Sequence, residues 1–209
     1  LDRDDPAALA AELRDDPQRL GVYVERWRER LKRMVAVRMD PALRGRIDAS
    51  DVVQEACAEA VERLPAWLAK PEMPLHLWLR FLAGQRLLQL HRRHLGTVKR
   101  DAARERPQEF GGTPEASAVA LADAIAESGV LSPSGVAIRA ERIGRLRDAL
   151  ATMKPEDREI LVLRHFEQLG NGDVARLLGL SEPGASLRYM RAVKRLREIV
   201  KEVSDSRVQ

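Results

Sequence analysis

The sequence predicts an all-α protein of two small helical domains joined by a flexible linker. Three observations carry that expectation. Hydrophobic residues make up 44% of the chain but aromatics only 4%. The core must then be built from Leu, Val, Ala and Ile, and abundant Ala, Leu, Arg and Glu without β-branched runs favours helices. Apolar positions recur at steps of three and four through most of the chain. Between Pro107 and Gly135 that pattern gives way to Gly111-Gly112, Thr113-Pro114 and Ser132-Pro133, with four acids and no base. This stretch reads as a tether with a short helix near Val119 to Glu127, and so long an irregular connection marks a domain boundary. The division expected is 17–106, linker 107–135, and 136–204.

Residues 1–16 are acid-rich (Asp2, Asp4, Asp5, Glu12, Asp15, Asp16) and are expected to be frayed or weakly helical. From Pro17, Leu20, Val24, Trp27, Leu31 and Val35 step along one helical face, until Asp40-Pro41 and Gly45 break it. A second helix starts at Asp48 or Ser50, both good N-caps, and runs to Leu64 before Pro65. Its apolar face is Val52, Val53, Ala56, Ala60, Val61 and Leu64. Its polar face is Asp51, Gln54, Glu55, Glu59 and Glu62, with no base before Arg63. Pro65, Pro71 and Pro74 punctuate the loop AWLAKPEMP. The third helix, Leu75 to Arg93, is apolar almost all round, which predicts a spine packed on several sides, with Trp78 and Phe81 in the core. Its end turns basic: eight Arg or Lys face two acids between Arg80 and Arg106.

Helical patterning resumes near Ala137 and runs to Met153. Pro155 opens a further helix with Ile160, Leu161, Leu163 and Phe166 apolar. Asn171 to Arg197 then reads as helix, tight turn, helix. Gly179 can take the left-handed backbone at the corner, and Ser181 can cap the next helix. That helix places Ala185, Tyr189, Ala192, Leu196 and Ile199 on one face. The other face carries Arg188, Arg191, Lys194, Arg195 and Arg197, with no acid between Glu182 and Glu198. This is the form of a helix-turn-helix whose second helix can enter a DNA major groove. An ordinary helical hairpin with a solvated basic face would show the same periodicity.

The net charge of +4 and pI of about 9.6 hide a segregated distribution. An acidic helix beside basic surfaces fits a protein that holds a basic partner on one face and nucleic acid on another. No apolar run reaches membrane-span length and no signal-peptide pattern is seen, so a cytoplasmic protein is expected. Leu1 is not an initiator Met, so the start is read as trimmed or not native. Cys57 is the sole cysteine and fits a structural role in a reducing compartment. His91 and His94 have a spacing that can bind metal on a helix, but Arg92 and Arg93 would repel a cation. No phosphate-binding glycine loop or nucleophile arrangement is present. The expectation is no enzyme, no cofactor and no metal.

The segments DASDVVQEACAEAVERL and LHLWLRFLAGQRLLQLHRRH resemble region two of a bacterial RNA polymerase sigma factor. LRDALATMKPEDREILVLRHFEQLGNGDVARLLGLSEPGASLRYMRAVKRLR resembles region four. Two such regions on a short tether resemble the extracytoplasmic-function group. The PEMP loop, GQRLLQLHRRHLG and LRHFEQL are similar to its planctomycete branch.

The resemblance implies a promoter-specificity subunit that binds the β′ clamp and β flap of core RNA polymerase and promoter DNA. An anti-sigma protein is a further candidate partner. Asp51, Gln54 and Glu55 would dock on polymerase. Arg86, Gln89, Arg92, Arg93, Lys99 and Arg100 would meet the minus-ten element, with the loop Lys70 to Pro74 capturing a flipped base. Ser186, Leu187, Arg188, Met190, Arg191 and Lys194 would face the minus-thirty-five element. The helix N-terminus at Glu182 to Ala185 would offer N–H groups to a phosphate. Pro183-Gly184 departs from the commoner pattern there, which leaves the base preference open. The rival readings are a free-standing helix-turn-helix regulator with an N-terminal sensing or partner-binding domain, and an interaction protein that titrates a regulator.

Overall fold

The computed structural model describes residues 5–94, 114, 116–127 and 136–205. Among them are nine α-helices, one π-helical turn and no strand. The chain divides into two compact units, Leu1–Ala36 with Ala42–Pro114, and Val37–Pro41 with Glu115–Gln209.

The first unit opens with α1 (Pro6–Asp15). The acid-rich start, read as frayed or weakly helical, forms a packed helix. Asp5 accepts from the Ala7 N–H at 3.0 Å, Pro6 pre-sets the first turn, and Leu9, Ala10 and Leu13 are buried. Glu12 pairs with Arg19 and accepts from the Tyr23 hydroxyl at 3.0 Å. In α2 (Arg19–Arg38), Leu20, Val24, Leu31 and Val35 are buried as the periodicity requires.

The third helix, α3 (Ala49–Ala69), is capped by Asp48, which accepts from the Ser50 N–H at 2.7 Å. That bond holds the Asp48 carboxyl below its ordinary pKa. The helix does not end at Pro65 as expected. Pro65 lacks the N–H that would meet the preceding turn, but burial beyond it outweighs that loss. Trp67 is buried against Trp78, ring centroids 5.9 Å apart, and donates its indole N–H to the Met73 carbonyl at 3.2 Å. The buried face is Val52, Val53, Ala56, Ala60, Leu64 and Trp67, whereas Val61, read as apolar-facing, is 63% exposed. The spine, α4 (Leu75–His94), packs on α3. Leu75 to Arg80 are buried without interruption, followed by Leu82, Ala83, Gly84 and Leu87. Trp78 is core, and Phe81 is half-buried.

In the second unit, α5 (Ala118–Glu127) lies within the stretch read as a tether and packs on α6 (Val136–Ala151). Leu121, Ala122, Ile125 and Ala126 are buried, and Asp123 pairs with Arg147 at 2.7 Å. Next come α7 (Pro155–Leu161), a π-helical turn (Val162–Phe166), α8 (Asn171–Leu178) and α9 (Glu182–Asp205). The core is Leu146, Leu150, Ile160 to Leu163, Val174, Ala185, Ala192 and Ile199.

Arg38 is fully buried in this unit, pairs with Glu167 at 2.6 Å and also pairs with Glu159. Glu159 also accepts from the Ala116 N–H at 3.4 Å. Removing one member of a buried ionic cluster strands the remaining charge. Arg38→Ala is therefore expected to destabilise the unit by about 3–5 kcal/mol. Calorimetry of the full chain would read this as a lower unfolding midpoint, and an unchanged midpoint would contradict it.

Candidate functional site

Two helices and one corner build the helix-turn-helix. Gly179 stands at φ 62° and ψ 37°, in the left-handed region that glycine was expected to supply. The Leu180 N–H reaches the Ala175 carbonyl at 2.9 Å and the Gly179 N–H reaches Arg176 at 3.4 Å, a Schellman closure of α8. Asn171 Nδ2 donates to the Glu182 carbonyl at 2.9 Å, tying the start of α8 to the start of α9.

Ser181 Oγ accepts from the Gly184 N–H at 3.2 Å, and the Ser181 carbonyl accepts from Ala185 at 2.9 Å. This corrects the expectation of a phosphate site at that helix start. Pro183 has no N–H, and the next two are already engaged. Among the described residues that leaves the Glu182 N–H in this first turn. A Cβ on Gly184 would meet Ser181 Oγ at 3.0 Å, so glycine here makes room for the cap.

The inner face of α9 is fixed by Ala185, Ala192 and Ile199, all fully buried. Their spacing turns Ser186, Leu187, Met190, Arg191 and Lys194 outward, and all five are exposed. Arg188 is half-buried at the edge. Among the described residues no carboxylate pairs with Arg188, Arg191 or Lys194, whereas Arg195 pairs with Glu198 at 3.4 Å.

Sequence reasoning missed what steadies this helix. The π turn places His165 against α9, where its Nε2 lies 3.0 Å from the Tyr189 hydroxyl. The Arg164 guanidinium sits 5.4 Å from the Tyr189 ring centre and donates to the Leu169 carbonyl at 2.7 Å. Partial burial, then Arg164, pushes the His165 imidazole below its ordinary pKa, so it is neutral at pH 7 and can accept from Tyr189. A π turn adds a residue to the repeat, and no residue pattern in LVLRHFEQL announces it.

In the first unit, Asp51, Gln54 and Glu55 are exposed together on α3. Gln89, Arg92 and Arg93 are exposed on α4, while Arg86 is half-buried. Lys99 and Arg100 lie outside the described residues. The two clusters touch: Arg86 Nε donates to Glu55, and Arg86 Nη1 donates to Gln89 at 3.2 Å. The Glu55 bond raises the Arg86 pKa. Farther along α3, Glu59 pairs with Arg63 at 2.8 Å. Asp51 and Gln54 remain as the open end of the acidic face. In the loop after α3, Lys70 pairs with Glu72 at 2.5 Å. A small cleft at its far end is lined by Pro6, Tyr23, Trp27, Pro74 and His76. His76 stacks on Trp27 at 4.5 Å. Among the described residues no group of three His, Cys, Asp or Glu is placed to hold a metal, and no helix is long and apolar enough to cross a membrane.

Comparison with known proteins bears on both units. The family model "Sigma-70, region 4" matches residues 143–196, from within α6 through α7, the π turn and α8 into α9. The chain is 25% identical over 199 residues to "ECF RNA polymerase sigma factor SigD" of Mycobacterium tuberculosis, covering 95% of this chain and 85% of that one. It is 40% identical over 53 residues to "RNA polymerase sigma-E factor" of Streptomyces coelicolor, covering 25% of this chain and 30% of that one. Among solved structures, CnrH in complex with the cytosolic domain of CnrY has the same fold, with TM-score 0.53, 21% identity, and coverage of 96% and 99%. These matches do not reach the planctomycete branch, which rests on its motifs alone.

Proposed function

We infer that this chain, a member of the extracytoplasmic-function sigma factors, is a promoter-specificity subunit of bacterial RNA polymerase. It binds the core enzyme, recognises minus-ten and minus-thirty-five elements and promotes initiation. The observation that carries this reading is the outward face of α9, where among the described residues Arg188, Arg191 and Lys194 have no carboxylate partner, on the helix-turn-helix that matches region four.

The assignment of surfaces is our proposal. Ser186, Leu187, Arg188, Met190, Arg191 and Lys194 face the upstream duplex. Arg86, Gln89, Arg92 and Arg93, continuing in sequence to Lys99 and Arg100, hold the opened minus-ten strand. Asp51, Gln54 and Glu55 dock on the β′ clamp, and the C-terminal module meets the β flap. Residues 17–106 form the first functional module and 136–204 the second, with 107–135 connecting them and α5 packed against the second. Strand synthesis belongs to the polymerase, so the chain itself acts without catalysis, in the cytoplasm. A CnrY-like cytosolic segment is the kind of partner that would hold it inactive.

Titration separates this reading from a free-standing regulator. The free chain should bind sigma-free core enzyme tightly and duplex DNA weakly. Tight duplex binding by the chain alone, as a dimer on a palindrome, with no affinity for core, would sink the reading.

A further inference from the structure

We propose that Leu187 and Met190 are thymine readers, contacting C5-methyl groups on neighbouring base pairs of the upstream element. This rests on α9 being the major-groove helix. Four large hydrophobic side chains are well exposed among the described residues: Val22, Val61, Leu187 and Met190. Two of the four fall on this one stripe, Leu187 at 49% and Met190 at 67% exposure. Neither is needed for the core of the second unit, which takes Ala185, Ala192 and Ile199 from the opposite face.

The surroundings select the occupant. Leu187 and Arg191 are one helical turn apart, as are Met190 and Lys194, so each apolar side chain stands beside a cation without a carboxylate partner. An acidic ligand with apolar points fits such a stripe, and duplex DNA supplies both. Phosphates meet Arg191 and Lys194, and in the major groove thymine alone presents a methyl group. The three-residue step from Leu187 to Met190 rises about 4.5 Å along the helix. Successive base pairs are about 3.4 Å apart, so the two side chains address the same or adjacent steps. Ser186 beside them can donate or accept and adds little selectivity of its own.

The test uses holoenzyme reconstituted from the full chain and core enzyme. An upstream element is first selected from randomised duplex, and it should contain thymines at adjacent steps. Those thymines are then replaced by deoxyuridine, which removes the methyl and nothing else. Binding by the wild-type chain should weaken by about four- to fifteenfold, the scale of losing one or two buried methyl contacts. Leu187→Ala with Met190→Ala should lose a similar factor on thymine DNA and become indifferent to deoxyuridine. Both side chains are exposed, so the unfolding midpoint of that variant should not move.

Equal wild-type affinity for thymine and deoxyuridine DNA would overturn the proposal, as would a selected element without thymine. A double variant with unchanged DNA binding would also overturn it, and would assign the pair to a protein contact. Arg191→Ala separates the underlying reading. It should weaken binding to both DNAs alike, and if it has no effect the major-groove placement of α9 fails together with the proposal. Indifference to the methyl with the Arg191 effect intact sinks only the thymine assignment.

Discussion

Asp51→Arg should raise the dissociation constant for core polymerase by about 10- to 100-fold, corresponding to roughly 1.4–2.8 kcal/mol. Reversing a charge at a complementary interface converts attraction into like-charge repulsion. Asp51 is the cleanest place to do this. It is exposed in the first turn of α3, and among the described residues no cation pairs with its carboxylate. Its own contribution to the helix is the modest first-turn dipole effect, about 0.3–1 kcal/mol, so the fold should survive. Glu55 is a poorer choice for reversal because an arginine there would face Arg86. Glu55→Gln is more informative: it should weaken core binding while releasing Arg86 toward DNA. The release is small, since partly exposed pairs are worth about 0–1 kcal/mol. Fluorescence titration of labelled chain with core reads the first effect. An Asp51→Arg chain that binds core normally would mean that the α3 face is solvated and the docking surface lies elsewhere.

The second large effect concerns the upstream contact. Arg191→Ala with Lys194→Ala should reduce holoenzyme binding to the upstream element and flatten its salt dependence. Each lost phosphate contact removes close to one unit from the slope of log K against log salt. If Arg191 instead forks onto a guanine, that single change costs about 1–3 kcal/mol and relaxes selection at one position. The two roles separate on a set of mutated elements. A phosphate contact weakens all of them equally, and a base contact weakens only those that keep the guanine. An unchanged salt slope would remove both side chains from the phosphate backbone.

What could be read in the sequence followed from periodicity and from residues with few conformational options. The three- and four-residue steps through Ala185, Tyr189, Ala192, Leu196 and Ile199 set the inner face of α9, of which Ala185, Ala192 and Ile199 are fully buried, while the outward residues follow from the family resemblance. Gly179 and Ser181 have side-chain chemistry that admits few positions other than the corner and the cap they occupy. Other features depend on partners far away in the chain. Pro65 is tolerated because Trp67 and Trp78 meet. The acidic start folds as α1 because Leu9, Ala10 and Leu13 find a buried surface, and the short helix read near Val119 to Glu127 is present as α5, but its packing on α6 was not legible. The bond between Arg86 and Glu55 joins residues 31 positions apart and merges two surfaces that looked separate. Local hydrogen bonds also overruled a general rule at the start of α9, where the Ser181 cap consumes donors that a helix terminus usually offers.

If the two surfaces act as proposed, their contributions combine through one chain: a weak upstream contact would gain effective concentration from the first module's hold on polymerase. As a promoter-specificity subunit, this chain would confer promoter choice on an enzyme that otherwise lacks it. Run-off transcription with sigma-free core polymerase on a promoter library tests it most directly. The account predicts discrete transcripts that appear only with the chain present and disappear with Asp51→Arg. A library transcribed no differently with and without the chain would contradict it.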